Sequence, residues 1–258
     1  MSFGCNIADQ HHCIQVADDK LFNFLSSLSK CHPVLRLEDS VVLLLPSYGQ
    51  SISLSMLLGF QEHKNIILVL EEGQCFIVDD LSFDRIINIV VCKNTQLNLK
   101  FEIEQSCKLT INLYLQEHSK AEVNGTYRLK DKAEVDIFTT QNHLKHSAKS
   151  TLLIKGVIED QASINYKGNI FVAQDAYGSI VSQKNKTLIL SPEAKAISVP
   201  SMEVLNKNVQ CAHGSAVAQI DEQQLFYLMS RGLTRKHATD MLIESFLDFY
   251  KQKPEPTI

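Results

Sequence analysis

The sequence has no long apolar run, no excess of charge of one sign and no cysteine pairing pattern. No purely aliphatic stretch is longer than Val41 to Leu45, which Pro46 stops, far short of the roughly 20 residues that cross a bilayer as a helix. A total of 25 basic and 29 acidic side chains leaves a formal charge of −4. Sequence-independent nucleic-acid binding needs a clustered excess of Lys and Arg, so nucleic acid is set aside as a partner. Seven cysteines (Cys5, Cys13, Cys31, Cys75, Cys92, Cys107 and Cys211) are odd in number and scattered, with no Cys-x-x-Cys pair. That argues against a disulfide framework and against a structural zinc knuckle. The opening Met-Ser-Phe-Gly-Cys-Asn lacks the basic start and apolar core of a signal peptide, so a cytoplasmic location is expected, or an organelle stroma or matrix if a precursor was processed. No Gly-x-x-x-x-Gly-Lys-Ser/Thr loop, Gly-x-Ser-x-Gly elbow or His-Glu-x-x-His is found, which leaves nucleotide hydrolysis, serine hydrolysis and zinc peptidase chemistry without their usual parts.

What is present is strand after strand. With 258 residues, 45% of them apolar, the chain has ample core material. From about Leu35 to Val217, short runs of Val, Ile, Leu, Thr and Phe alternate with polar breaks. The clearest are Ile66 to Leu70, Cys75 to Val78, Ile86 to Val91, Leu97 to Ile103, Leu109 to Leu115, Ala133 to Thr139 and Thr151 to Val157. Ser119-Lys-Ala-Glu-Val123 and Asp131-Lys-Ala-Glu-Val135 sit 12 residues apart, and Asp160-Gln-Ala-Ser-Ile164 resembles both. Reuse of a turn-then-strand unit is what stacked rungs require, because a single rung cannot bury its own apolar face. The pattern therefore predicts a mainly β chain folded as a β-solenoid, with a β-sandwich as the competing arrangement. The low glycine content does not separate the two.

Helices are expected at both ends, dividing the chain into a helical segment over 1–34, a β core over 35–217 and a helical segment over 218–258. Leu21, Phe22, Leu25 and Leu28 recur at helical spacing behind an acidic start. Near the C-terminus, Asp221 caps a short helix carrying Leu225, Phe226 and Leu228, and Gly232 stops it. Thr234 caps a second, with Ala238, Met241, Leu242, Ser245, Phe246 and Phe249 in one stripe. Such a stripe most simply packs on the other helix or on the end of the sheet.

Few residues suggest chemistry. In the strand Asn208-Val-Gln-Cys-Ala-His-Gly214, Cys211 and His213 stand two positions apart and leave the same face of an extended backbone. Thiolate and imidazole together suit iron, zinc or a transient iron–sulfur species. Two ligands do not complete a tetrahedron, so the rest would come from another chain, solvent or sulfide. Taken alone the spacing better fits a buried cysteine beside an ordinary strand histidine. Gln10-His11-His12-Cys13, with Cys5 upstream, matches no defensible ligand pattern. His143 and His146 fall in a polar stretch and are read as loop residues. A solenoid acting on carbohydrate would need clustered carboxylates along its rungs, and the acidic residues here are scattered.

Three segments carry a resemblance. Pro200-Ser-Met-Glu-Val204, Asn208-Val-Gln-Cys-Ala-His-Gly214 and Asp221-Glu-Gln-Gln-Leu-Phe-Tyr-Leu-Met-Ser-Arg-Gly232, in that order, resemble the SufB/SufD family of the SUF iron–sulfur cluster assembly system, and its SufD branch in particular. Gly168, Gln174, Gln183 and Lys186-Thr-Leu-Ile-Leu-Ser191 extend the likeness, which covers about residues 150 to 250. The resemblance implies a right-handed parallel β-helix with terminal helices, acting as a non-catalytic scaffold. It implies pairing with a SufB-type subunit, or with a second copy of the chain, and docking of a SufC-type ABC ATPase through Phe226, Tyr227, Arg231 and Gly232. It places Cys211 and His213 at or near the subunit interface, where iron or a nascent cluster is handled, and leaves open whether the assembled complex binds a flavin. SufB-type chains carry His-Glu-Ala where this one reads His213-Gly214-Ser215, which is why the SufD branch fits better. The family's His-Gly-Ala-Thr-Val-Gly appears as His213-Gly-Ser-Ala-Val-Ala218, removing a hydroxyl and a flexible glycine. Two alternatives stay open: a degenerate member that binds the ATPase without handling metal, and a stand-alone carbohydrate-active solenoid.

Overall fold

A computed structural model describes residues 34–37, 40–45, 51–52, 65–70, 73–80 and 84–248. The helix expected over residues 18–30, Cys5 and the Gln10–Cys13 run lie outside these. The strands are β1 (Val34–Leu37), β2 (Ser40–Leu45), β3 (Ser51–Ile52), β4 (Asn65–Leu70), β5 (Gln74–Asp80), β6 (Arg85–Val91), β7 (Gln96–Ile103) and β8 (Cys107–Leu115). They continue with β9 (Lys120–Leu129), β10 (Glu134–His143), β11 (Lys149–Ile158), β12 (Ser163–Val172), β13 (Ile180–Ile189), β14 (Lys195–Val204) and β15 (Gln210–Gln219). Two helices follow, α1 (Glu222–Ser230) and α2 (Arg235–Leu247).

The strands divide by parity. Even-numbered strands, with β1 at the far edge, form one sheet in the order β1-β2-β4-β6-β8-β10-β12-β14, and odd-numbered ones form β15-β13-β11-β9-β7-β5-β3. Each strand from β2 to β13 pairs in parallel with the strand two places on, and among the described residues only β1 against β2 is antiparallel. Successive strands thus alternate between facing sheets. That is a β-solenoid, and it excludes the sandwich, whose sheets are antiparallel. The rungs lengthen along the chain: Asn65 lies beside Ile86, 21 residues on, whereas Ser163 lies beside Lys195, 32 residues on.

Alternation drives the packing. In β8, Cys107, Leu109, Ile111, Leu113 and Leu115 point inward and are buried, while Lys108, Thr110, Asn112 and Tyr114 face outward, as a backbone of period two dictates. The same pattern from β4 to β9 fills the interior with Ile, Leu and Val. Large rings need small neighbours one rung away. Phe101 stands beside Gly125, and Tyr127 beside Gly156. A Cβ on either glycine would fall within the neighbouring ring.

Corners repeat as well. Asn94, His118, Ser147 and Gly178 each adopt positive φ (59°, 55°, 57° and 68°) at the turns entering β7, β9, β11 and β13. Asp131 and Asp160, both at φ 57°, do so on the opposite corner, a conformation that Asn, Asp and Gly reach at least cost. The three similar segments are explained by this geometry. Asp131 and Asp160 start equivalent strands one full rung apart, with Val135 beside Ile164. Ser119 begins the strand at the other corner, so the 12-residue repeat is half a rung.

Candidate functional site

β14 and β15 end their sheets, and among the described residues nothing pairs with their outer edges. Register carries the inward face of the solenoid onto this open end. Cys211, His213, Ser215 and Val217 lie beside Val181, Gln183, Asn185 and Thr187 of β13, all four of which are buried. On β14, Met202 and Val204 continue the inward column of Ile170 and Val172, yet they are 44% and 37% exposed. Side chains that point to a core from β6 to β13 therefore have counterparts here that no further rung covers. Such an uncovered pair of strand edges leaves ladder N–H and C=O groups open to pairing.

Cys211 and His213 share that inward face, as the two-residue spacing predicts. Their surroundings differ. Cys211 is half-buried against the apolar cluster of Ile170, Val172, Ala176 and Val181, and burial pushes its thiol pKa up. His213 is exposed. One side of the pair is therefore a protonated thiol on an apolar wall, and the other an accessible imidazole.

Beneath His213 the interior turns polar. Gln183 donates to Thr139 Oγ1 at 3.3 Å, and Thr139 meets the Tyr166 hydroxyl at 2.9 Å. Gln141 donates to Ser150 Oγ at 2.6 Å, which lies 2.7 Å from His143 Nε2. Tyr127 and Thr187 share a hydroxyl contact of 2.5 Å. Gly168 leaves the room that the Gln183 amide and the Tyr166 hydroxyl occupy. Gln141 Oε1, His143 Nδ1, Gln183 Oε1 and Asn185 Oδ1 are buried with no hydrogen-bond partner among the described residues. His143 corrects the sequence reading: it is fully buried at the end of β10, not in a loop. Burial pushes its imidazole down to about 4, so it is neutral at physiological pH.

The C-terminal helices follow the predicted caps. Asp221 accepts from Gln223 N at 2.8 Å, Thr234 accepts from His237 N at 3.3 Å, and Gly232 has φ 94°. α2 buries Ala238 and Ile243 and packs Phe246 and Leu247 near Val157 and Leu188 of the solenoid wall. Ile243, absent from the expected stripe, takes the central place, and Met241 is exposed. On α1, Leu225 is buried while Phe226 is 74% and Tyr227 55% exposed. The Arg231 guanidinium stands 5.2 Å from the Tyr227 ring centroid, within cation–π range. The four residues expected to contact a partner thus lie on the exposed part of α1 and the turn that ends it, following the strand that bears Cys211 and His213.

Comparison with known proteins agrees with this architecture. The family model described as "SUF system FeS cluster assembly, SufBD core domain" matches residues 94–246. The iron–sulfur cluster assembly protein SufB of Bacillus subtilis (strain 168) is 32% identical over 113 residues. An iron–sulfur cluster assembly SufBD family protein of Staphylococcus saprophyticus is 34% identical over 113 residues, and one of Staphylococcus aureus (strain USA300) is 32% identical over the same length. Each alignment covers 43% of this chain and 24% of the relative, so the match spans about a quarter of those proteins. With more than half of its residues inside the core-domain match and its strands wound as a parallel solenoid, the chain belongs to the SufB/SufD family of the SUF iron–sulfur cluster assembly system.

Proposed function

We propose that the chain is a SufD-type, non-catalytic scaffold subunit. Its open solenoid end pairs with a SufB-type subunit, α1 and the turn at Gly232 dock a SufC-type ATPase, and Cys211 with His213 assists the handling of iron or a nascent cluster at the pairing face. The observation that carries this is the position of β15: the strand bearing both donors is also the uncovered edge of its sheet.

The residues divide the work. His213 offers an accessible nitrogen donor suited to iron. Cys211 becomes a ligand only on losing its proton, which a nearby cation promotes and its apolar wall resists. Iron and sulfide are cargo here, completed by groups of the partner. Force applied at the helices has a short contiguous route inward, since α2 packs against Val157 and Leu188 on β11 and β13, and β13 is the direct neighbour of β15. ATP hydrolysis belongs to the partner ATPase. The flavin left open by the resemblance draws no support from the geometry of the described residues.

Co-expression with SufB-type and SufC-type partners tests the proposal. His213→Ala is expected to lower the iron and acid-labile sulfide recovered in the complex while leaving the subunits together, with Cys211→Ala measured beside it. Undiminished iron and sulfide in His213→Ala would remove the imidazole from cluster handling. A second reading, a subunit that binds the ATPase without handling metal, is favoured by one observation, the raised pKa of the half-buried Cys211 thiol. Intact assembly with cluster content indifferent to both substitutions is its signature.

A further inference from the structure

One corner of the solenoid carries a second group of donors, apart from the open end. At the turns entering β7, β9, β11 and β13, the residue before each positive-φ position is Lys93, Glu117, His146 and Tyr177 in turn. Backbone bonds hold these turns in line: Asn94 N donates to Glu117 O at 3.1 Å, His118 N to His146 O at 3.2 Å, and Ser147 N to Tyr177 O at 2.9 Å. The side chains therefore stack as a column. Lys93 Nζ lies 2.9 Å from Glu117 Oε2, Glu117 Oε1 lies 3.6 Å from His146 Nε2, and the His146 ring stacks on Tyr177 at 4.8 Å between centroids.

His118 breaks the simple column. Its positive φ places a side chain where Asn or Gly is the more common choice, and its Nε2 comes within 3.6 Å of the same Glu117 Oε1. One carboxylate oxygen thus faces two imidazole nitrogens, and the three ligand atoms lie within 4.8 Å of one another. The other oxygen is held by Lys93, and His146 Nδ1 lies 3.4 Å from Ser147 Oγ. Donors around a tetrahedral ion with bonds of about 2.1 Å are separated by roughly 3.4 Å, so the two Glu–His spacings already approach those of a shared ion. Two imidazoles and one carboxylate are the donor set of open zinc and non-haem iron(II) sites.

We propose that Glu117, His118 and His146 bind one divalent ion of the zinc or iron(II) class, with solvent completing its coordination. The ion clasps the turn before β9 to the turn before β11 and ties adjacent rungs together. Lys93 is a positioning residue that fixes the carboxylate, and the stacked Tyr177 fixes the His146 ring. This site shares no residue with Cys211 and His213, so it stands whether or not the scaffold function does.

The full-length chain, freed of metal and titrated with Co²⁺ under anaerobic conditions, provides the test. The expected signal is visible ligand-field absorption without the sulfur-to-cobalt charge transfer that a cysteine-bound ion gives. Glu117→Gln and His118→Gln should each lose that signal and an equivalent of bound cobalt, while Cys211→Ala/His213→Ala retains both. Saturating Zn²⁺ should raise the thermal midpoint of the unaltered chain by roughly 5 °C and leave the midpoint of Glu117→Gln where it stands without metal. Both variants change exposed or half-exposed side chains, and unchanged metal-free melting verifies that they fold. Cobalt spectra and stoichiometry identical in the unaltered chain and both variants would overturn the site, as would a zinc shift that persists in Glu117→Gln.

Discussion

The ammonium of Lys155, on β11, donates to the carbonyl of Phe246 at 2.8 Å and is fully buried where α2 ends. It also donates to the carbonyl of Asp248 at 2.9 Å. The last carbonyls of a helix have no partner within it, and a cation there satisfies them and opposes the negative end of the dipole. Burial pushes the lysine pKa down, and the carbonyls offset that penalty. Lys155→Met should therefore cost about 2 kcal/mol, read as a lower urea midpoint, and should quicken tryptic cleavage after Arg235 and Lys236. A substitution that alters neither urea midpoint nor cleavage would show that α2 is held by its apolar contacts alone.

His143 makes stability depend on pH. In an unfolded chain its imidazole takes up a proton near pH 6.5, but in the folded interior only near 4. Between those values the unfolded state binds more protons, so stability falls as the pH drops through that window and levels off below it. Acidification from pH 7 to pH 5 should cost the unaltered chain about 2 kcal/mol more than His143→Gln. Parallel stability–pH curves for the two proteins would mean that water or a neighbouring group already stabilises the charged ring.

Phe226 separates docking from folding. Its ring is largely solvent-exposed, so Phe226→Ala should change stability by less than about 0.5 kcal/mol. If the ring anchors a SufC-type ATPase, affinity measured by calorimetry should fall by roughly tenfold or more. Undiminished affinity would move the docking face away from α1.

The fold was legible where inward positions are aliphatic. The strands from Ile66 to Leu115 are found within about two residues of their observed ends because alternation of Ile, Leu and Val with polar residues has one physical meaning. β10 is different: its inward positions Thr139, Gln141 and His143 are polar, so the apolar pattern stops at Thr139, and His143 passes for a loop residue. The partners that make those side chains tolerable, Tyr166, Gln183 and Ser150, come from other rungs and cannot be read from local spacing. Cys211 and His213 are paired correctly by the period of two. Their exposure is not legible, because the inward face of a last strand has the same pattern as that of a buried one. Glu117 and His118 gave no signal at all, since the turn that joins them to His146 is a feature of stacking.

The widening of the rungs restricts how the molecule can aggregate. Strands of six residues at β4 give way to strands of ten at β14, and β1 folds back antiparallel over β2 at the narrow end. Head-to-tail stacking would set ten-residue edges against a blunted and shorter counterpart, leaving ladder groups unmatched. Wide end against wide end is self-complementary and stops at two members. The taper thus works against head-to-tail fibre growth, the standing hazard of an open parallel sheet.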